Sequence, residues 1–95
     1  MYYNVAVVYY EKDIKKEIAK GNLPKNIARL FHDAFQALDS SRNLNLFDIK
    51  KLISNSSKEY YRLRKGKYRA IFTIEGNDFF VHAISKRSEV YRQWP

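Results

Sequence analysis

Residues 60–86 read YYRLRKGKYRAIFTIEGNDFFVHAISK, and they carry the clearest secondary-structure pattern in the chain. Aromatic and β-branched residues predict three strands here, over Tyr60–Lys65, Lys67–Glu75 and Phe79–Lys86. Gly66 permits the first turn, and Gly76-Asn77-Asp78 supplies residues that tolerate a positive φ in the second. The stretch therefore predicts a three-stranded meander.

The first part of the chain predicts a strand followed by a helical hairpin. Tyr2–Tyr9 is rich in Val and Tyr and indicates a buried strand. Tyr10–Lys20 repeats apolar residues every four positions, which predicts a short amphipathic helix that ends at Gly21-Asn22. A second helix is predicted from about Pro24 to about Asp39, because apolar residues recur at spacings of three and four: Ile27, Leu30, Phe31, Ala34, Phe35 and Leu38.

The segment between the second helix and the meander is less clear. Ser40–Asn45 is a polar connector, and Leu46–Ser57 could form a turn of helix or an extended approach to the sheet. The order of strand, helix, helix and three strands predicts one α+β domain over residues 1–95. In this fold a helical hairpin packs on one face of a small, mostly antiparallel sheet, and the other face stays open.

The composition favours a polyanionic partner. Eighteen Lys and Arg residues face ten Asp and Glu residues, a net charge of +8, and residues 58–95 alone carry +5. Such a field attracts nucleic acid, although a solubilising surface would have the same composition. The chain has no cysteine, no signal-like N-terminus and no apolar stretch long enough for a membrane span, so we expect a cytoplasmic protein.

Strand alternation places basic side chains on the face away from the helices. In the second meander strand Tyr68, Ala70, Phe72 and Ile74 share the core side, which puts Arg69 on the opposite side. Arg62 and Arg64 share one face of the first meander strand, and Arg87 and Tyr91 follow the third. These groups suit RNA cleavage by a neighbouring 2′-OH, which requires a base, donors for the charge gathering on phosphorus and an acid, but no metal. Cations also favour the phenolate form of a nearby tyrosine.

Two segments carry a resemblance to a known family. Residues 61–72, YRLRKGKYRAIF, and residues 85–92, SKRSEVYR, resemble the strand pair and C-terminal motif of the RelE/ParE toxin superfamily. The resemblance covers roughly the last 35 residues. It implies a RelE-type mRNA interferase that cuts message on the ribosome and is held in check by a cognate antitoxin protein, with no cofactor and no metal.

The resemblance also assigns the candidate residues. It implies catalytic roles for Arg69, which matches the arginine at the scissile phosphate, and for Arg87, Tyr91 and Arg62. RNA contacts are expected from Arg64, Lys65, Lys67, Lys86 and Arg92. The chain departs from the family at Tyr60 and Arg62, where RelE has lysines, and at Ser85, where RelE has a further arginine, with Lys86 a possible replacement.

Two other functions remain open from the sequence. A ParE-type toxin that inhibits gyrase shares the fold, but it needs no catalytic tyrosine. A non-catalytic module that binds RNA or the ribosome would use the same basic face without cutting. His82 is expected to be out of strand phase with Arg69, so no catalytic role is predicted for it.

Overall fold

The computed structural model describes residues 7–41, 43–52 and 58–86. Within these ranges five strands and two helices form, in the order β1 (Val8–Tyr10), α1 (Lys12–Ala19), α2 (Lys25–Ser41), β2 (Ile49–Leu52), β3 (Tyr60–Lys65), β4 (Tyr68–Glu75) and β5 (Asp78–Lys86). A 3-10 turn, Leu44–Leu46, lies between α2 and β2. The sheet order is β1-β5-β4-β3-β2, in which β1 is parallel to β5 and every other pair is antiparallel. The predicted α+β fold is confirmed.

The first helix is shorter than its periodicity predicts. Tyr10 was expected on its apolar stripe but is the last residue of β1, paired with Val81. Its side chain still faces the helices, because its hydroxyl lies 2.7 Å from Nδ1 of His32. Burial and the nearby Asp33 raise the pKa of Tyr10 to about 12. Tyr10 and Ile14 are four residues apart, so they fit one apolar stripe of a helix although Tyr10 belongs to the strand.

The end of α1 is closed by a glycine cap. Gly21 has a φ of 82°, which favours glycine. Its N–H donates to the carbonyl of Ile18 at 3.1 Å, and the N–H of Asn22 donates to the carbonyl of Glu17 at 3.0 Å. This pair of bonds is a Schellman motif, which satisfies carbonyls that the helix leaves unpaired. The predicted end of the helix is confirmed.

The α2 helix covers one face of the sheet. Phe31 and Phe35 are fully buried, and Phe35 contacts the ring of Phe72 edge-on with 5.0 Å between centroids. Ala70 and Phe72 of β4 belong to this core together with the partly buried Tyr68 and Ile74. The predicted core side of β4 is therefore confirmed, and a Phe31→Ala change would cost about 3–5 kcal/mol of unfolding free energy.

The segment that the sequence left open contains a strand. Ile49–Leu52 forms β2 and pairs antiparallel with Tyr60–Leu63. Helix α2 also continues to Ser41, so Ser40 and Ser41 are helical although they were expected in the connector. Within the described ranges, no helix is both long and apolar enough to cross a membrane.

Candidate nucleic acid interface

Two rows of paired residues cross the sheet on the face that the helices leave uncovered. In one row Arg64 of β3 pairs with Arg69 of β4, which pairs with Ser85 of β5. In the next row Arg62 pairs with Ile71, and Ile71 packs with Ala83 in a small second cluster apart from the main core. Since paired residues share a face, the structure brings Arg62, Arg64 and Arg69 together on the open side, as predicted.

Arg69 is buried on this face, and no carboxylate of the described residues compensates its charge. The residue is only 4% exposed, and its Nε and Nη1 atoms are buried with no hydrogen-bond partner. No ion pair joins it to another part of the described chain. Arg64 is its direct neighbour across the strands, and like charges in that arrangement destabilise a sheet. A buried, unpaired cation costs folding free energy, so Arg69 is a candidate on this face for contact with an anion.

Arg62 differs from Arg69 because a carboxylate holds it in place. Its Nη2 donates to Oδ1 of Asp48 at 2.6 Å, and the Arg62 side chain is 10% exposed. The other oxygen of Asp48 lies 3.7 Å from Nε of Arg64. Asp48 stands just before β2, and the N–H of Arg64 donates to its backbone carbonyl at 3.0 Å. One half-exposed carboxylate therefore orients two guanidinium groups and leaves the face positive.

Ser85 adds an unpaired hydroxyl beside Arg69. Its Oγ atom is buried and has no hydrogen-bond partner. Ser85 is the direct cross-strand neighbour of Arg69, and it also lines the cleft between α1 and β5.

Three of the predicted RNA contacts lie away from this row. Lys65 points to the helix side, where its Nζ stands 5.2 Å from the ring centre of Phe47. Lys67 is exposed in the turn between β3 and β4. Lys86 pairs with Tyr68, a residue on the core side of β4, and lines a cleft of about 810 Å³ between α1 and β5. These lysines do not join the guanidinium cluster.

The remaining predicted residues cannot be placed in this geometry. Arg87, Tyr91 and Arg92 lie outside the described residues, and so does Trp94. The assignment of Arg87 and Tyr91 to catalysis, and of Arg92 to RNA contact, therefore stays a prediction from the resemblance.

His82 lies on the open face, although the simple alternation of β5 excludes it. Ile71 pairs with Ala83 and Phe72 pairs with Val81, so His82 is the extra residue of a β-bulge. Its Nε2 is 3.0 Å from the Thr73 hydroxyl. Burial lowers the pKa of His82, and the carboxylate of Glu11, 3.6 Å from Nδ1, opposes that shift.

Sequence reasoning missed two charged residues at the interface. Asp48 orients the arginines, and Lys50 pairs with Arg62 and so lies on the same face. Both depend on β2, which the sequence left undecided. The sequence gives no local signal that Asp48 pairs with Arg62 and Arg64, which follow it by 14 and 16 positions.

The described residues form an α+β protein. Two helices cover one face of a five-stranded, mostly antiparallel sheet, and guanidinium groups lie on the other face. No protein-family model matches the chain, and no curated protein is significantly similar to it. Solved structures that share its fold include the following two.

The first is a chain of the RelB–RelE antitoxin–toxin complex from Methanococcus jannaschii, with 25% identity, a TM-score of 0.65 and coverage of 92% of this chain and 99% of that one. The second is a chain of the archaeal RelE–RelB complex from Pyrococcus horikoshii OT3, with 26% identity, a TM-score of 0.62 and coverage of 90% and 98%. The predicted resemblance to RelE-type toxins is therefore confirmed.

Proposed function

We propose that this chain is the toxin of a type II toxin–antitoxin system and cuts mRNA on the ribosome. The observation that carries the proposal is Arg69, buried in the row Arg64–Arg69–Ser85 with two N–H groups that have no acceptor. A substrate phosphate supplies the missing acceptors, because its oxygens match the planar fork of a guanidinium. Residues 1–95 act as a single RelE-like toxin domain.

The reaction is a transesterification followed by product release. The 2′-OH loses its proton and attacks the adjacent phosphorus, the bond from phosphorus to the 5′-oxygen breaks, and that oxygen gains a proton. The products are a 2′,3′-cyclic phosphate and a 5′-hydroxyl. Arg69 and Arg62 stabilise the charge on the phosphoryl oxygens, since the pKa of arginine is too high for proton transfer near neutral pH. By resemblance, Tyr91 stacks on a base or assists activation of the 2′-OH, and Arg87 has a role in acid catalysis or charge stabilisation.

Two partners follow from this proposal. The first is mRNA bound to the ribosome, which helps to arrange the substrate. The second is a cognate antitoxin, as in the RelB complexes of the two structural neighbours. An acidic, partly disordered antitoxin would fold on a chain with a net charge of +8. A short acidic reading frame next to this gene would support the pairing, and we expect both proteins in the cytoplasm.

The proposal is tested by expressing the chain in growing cells and mapping message ends by primer extension. The parent and an Arg29→Met control, changed on the exposed side of α2, should stop growth and produce new 5′ ends within coding regions. Arg69→Met should do neither. If Arg69→Met cuts message as well as the parent does, the site assignment is wrong.

The same experiment separates the two rival functions. A gyrase inhibitor of the ParE type would leave messages intact and produce DNA breaks. A binding module would slow translation in a salt-sensitive way without new message ends. Either pattern in the parent strain would refute the endoribonuclease proposal.

A further inference from the structure

The open face of the sheet carries carboxylates at the end opposite its arginines. Glu75 of β4 pairs with Asp78 of β5, and strand alternation puts both on the same side of the sheet as Arg69. Glu11 lies at this end too, because its carboxylate is 3.6 Å from Nδ1 of His82. Arg69 and Glu75 are six residues apart on one strand, about 20 Å. That distance exceeds the screening length of about 8–10 Å, so the two ends act as separate charged regions.

Exposed apolar surface adjoins these carboxylates. Tyr9 pairs with Phe80, and the two rings stack with 4.7 Å between centroids and 14° between planes. Tyr9 and Val7 are each 46% exposed, and the N–H of Val7 donates to Oδ1 of Asp78 at 3.0 Å. An exposed apolar patch rimmed by charged groups is typical of a protein contact surface. We call this region the acidic–aromatic end, and its residues are Val7, Tyr9, Glu11, Glu75, Asp78 and Phe80.

The opposite region, the basic end, complements it in charge. Its cations, set against the carboxylate of Asp48, are Lys50, Arg62, Arg64 and Arg69. Among the described residues, four cations and one carboxylate give this end a net charge of +3. The acidic–aromatic end has three carboxylates and one ammonium, since Nζ of Lys58 lies 3.6 Å from Glu75, and its net charge is −2. Burial lowers the pKa of His82, so that ring adds no charge at neutral pH.

We propose that two copies of this chain associate through their open faces about a twofold axis. The basic end of each copy then lies on the acidic–aromatic end of the other, and every contact is made twice. The axis passes near Ile71, between Arg69 and Glu75, where the partly buried Tyr60 and Leu52 offer apolar contact. The association covers the guanidinium groups and keeps RNA from them. That consequence rests on the proposed function, whereas the association itself does not.

The association should be weak. The chain carries a net charge of +8, and repulsion between two copies opposes their approach at long range. Exposed ion pairs each add little, although a guanidinium over a tyrosine ring adds a cation–π contact. Dimers should therefore form at high protein concentration. Salt screens the long-range repulsion and the local attraction alike, so exchange of charges is a sharper test than salt.

The test is sedimentation equilibrium of the purified full chain up to millimolar concentration. The parent should show a monomer–dimer equilibrium. Glu75→Lys should weaken it about 10-fold or more, because the change places like charges opposite each other at two symmetric contacts. Glu59→Lys is the matched control and should leave the equilibrium unchanged. Glu59 is also an exposed carboxylate paired with a lysine, but it bonds to Tyr61 on the helix side.

A mixture of two variants gives the most specific result. Arg64→Glu alone should weaken association as Glu75→Lys does. The two variants together should form a mixed dimer, because one of its contacts is parental and the other has both charges exchanged. Labels of two colours report the mixed pair by energy transfer. A variant that failed to fold could not recover association in this way.

Separate outcomes decide the association and its effect on RNA. The inference is overturned if the parent is monomeric at every concentration, which would leave the acidic–aromatic end to a different basic partner. It is also overturned if Glu75→Lys and Glu59→Lys associate equally, or if the mixed dimer does not form. Single-stranded RNA should dissociate the parent dimer, and a dimer that binds RNA intact would refute the covering of the guanidinium groups. Message mapping judges cleavage independently, so intact message would refute the proposed function and leave the dimer standing.

Discussion

Replacing Arg69 by methionine should make the protein more stable and at the same time much less active. Methionine keeps the length and flexibility of the arginine stem but removes the guanidinium. In the parent, Arg69 is 4% exposed, and two of its guanidinium nitrogen atoms are buried without an acceptor. Each unpaired buried donor costs about 1–3 kcal/mol of folding free energy, and relief of the like-charge contact with Arg64 adds about 0.2–1 kcal/mol.

We expect a net gain of about 1–3 kcal/mol in the free energy of unfolding. The estimate is below the sum of the separate costs, because removal of the guanidinium also loses its packing contacts. For a domain of this size 1 kcal/mol moves the thermal midpoint by about 4–8 °C, so the variant should melt at least several degrees higher. Urea unfolding at constant m-value would give the same answer independently.

The activity should move in the opposite direction. Loss of one donor to the phosphoryl oxygens typically costs about 2–4 kcal/mol of transition-state stabilisation, or roughly 30- to 1,000-fold in cleavage rate. An Arg29→Met variant, altered at an exposed helical position, should change neither quantity appreciably. A clear loss of stability in Arg69→Met, of about 1 kcal/mol or more, would mean that the guanidinium serves the fold, and the reasoning would fail.

Three further predictions concern the surroundings of the site. Arg64→Gln should reduce the slope of log affinity for single-stranded RNA against log salt by about 0.7, as measured in a filter-binding series. Lys65→Gln, on the helix side, should leave that slope unchanged. Equal effects of the two changes would contradict the assigned faces. Asp48→Ala should lower the free energy of unfolding in urea by about 2 kcal/mol, because it leaves the buried guanidinium of Arg62 without its carboxylate partner. Glu59→Ala breaks an exposed ion pair and should lower it by less. The reverse order would refute the role of Asp48. Burial lowers the folded-state pKa of His82 below 6.5, so its contribution to stability is complete above that pH and is lost as pH falls through the folded value. His82→Asn should flatten the decline in unfolding free energy below pH 6.5, and an unchanged slope would show that His82 is not its source.

Local rules predicted the meander well because its signals are local. The bounds Tyr60–Lys65 match β3, and Gly66 and Gly76 have φ values of 58° and 62°, as the turns require. The alternation of β4 separated Arg69 from Phe72 correctly, because one face meets the apolar helix α2. The burial of Arg69 could not be predicted, since alternation gives the side of a sheet but not the depth of a side chain.

The features that sequence reasoning missed depend on pairing between distant segments. Four residues form β2 only because β3 offers them an edge, and Asp48 reaches Arg62 only through that pairing. The bulge that brings His82 to the open face depends on the register between β4 and β5, which no local pattern specifies. The four-residue spacing from Tyr10 to Ile14 predicts that both lie on one helix, but the same spacing occurs when Tyr10 ends β1 and Ile14 lies in α1.

The most direct test of the central claim is the chemistry of the RNA ends. The purified chain is added to ribosomes carrying a defined message, and the fragments are analysed by mass spectrometry. We expect a 2′,3′-cyclic phosphate on the upstream fragment and a 5′-hydroxyl on the downstream fragment, and both should form roughly 30- to 1,000-fold more slowly with Arg69→Met. Intact message at every concentration of the parent chain, or equal cutting by Arg69→Met, would contradict the claim that the buried guanidinium row is a phosphodiester site.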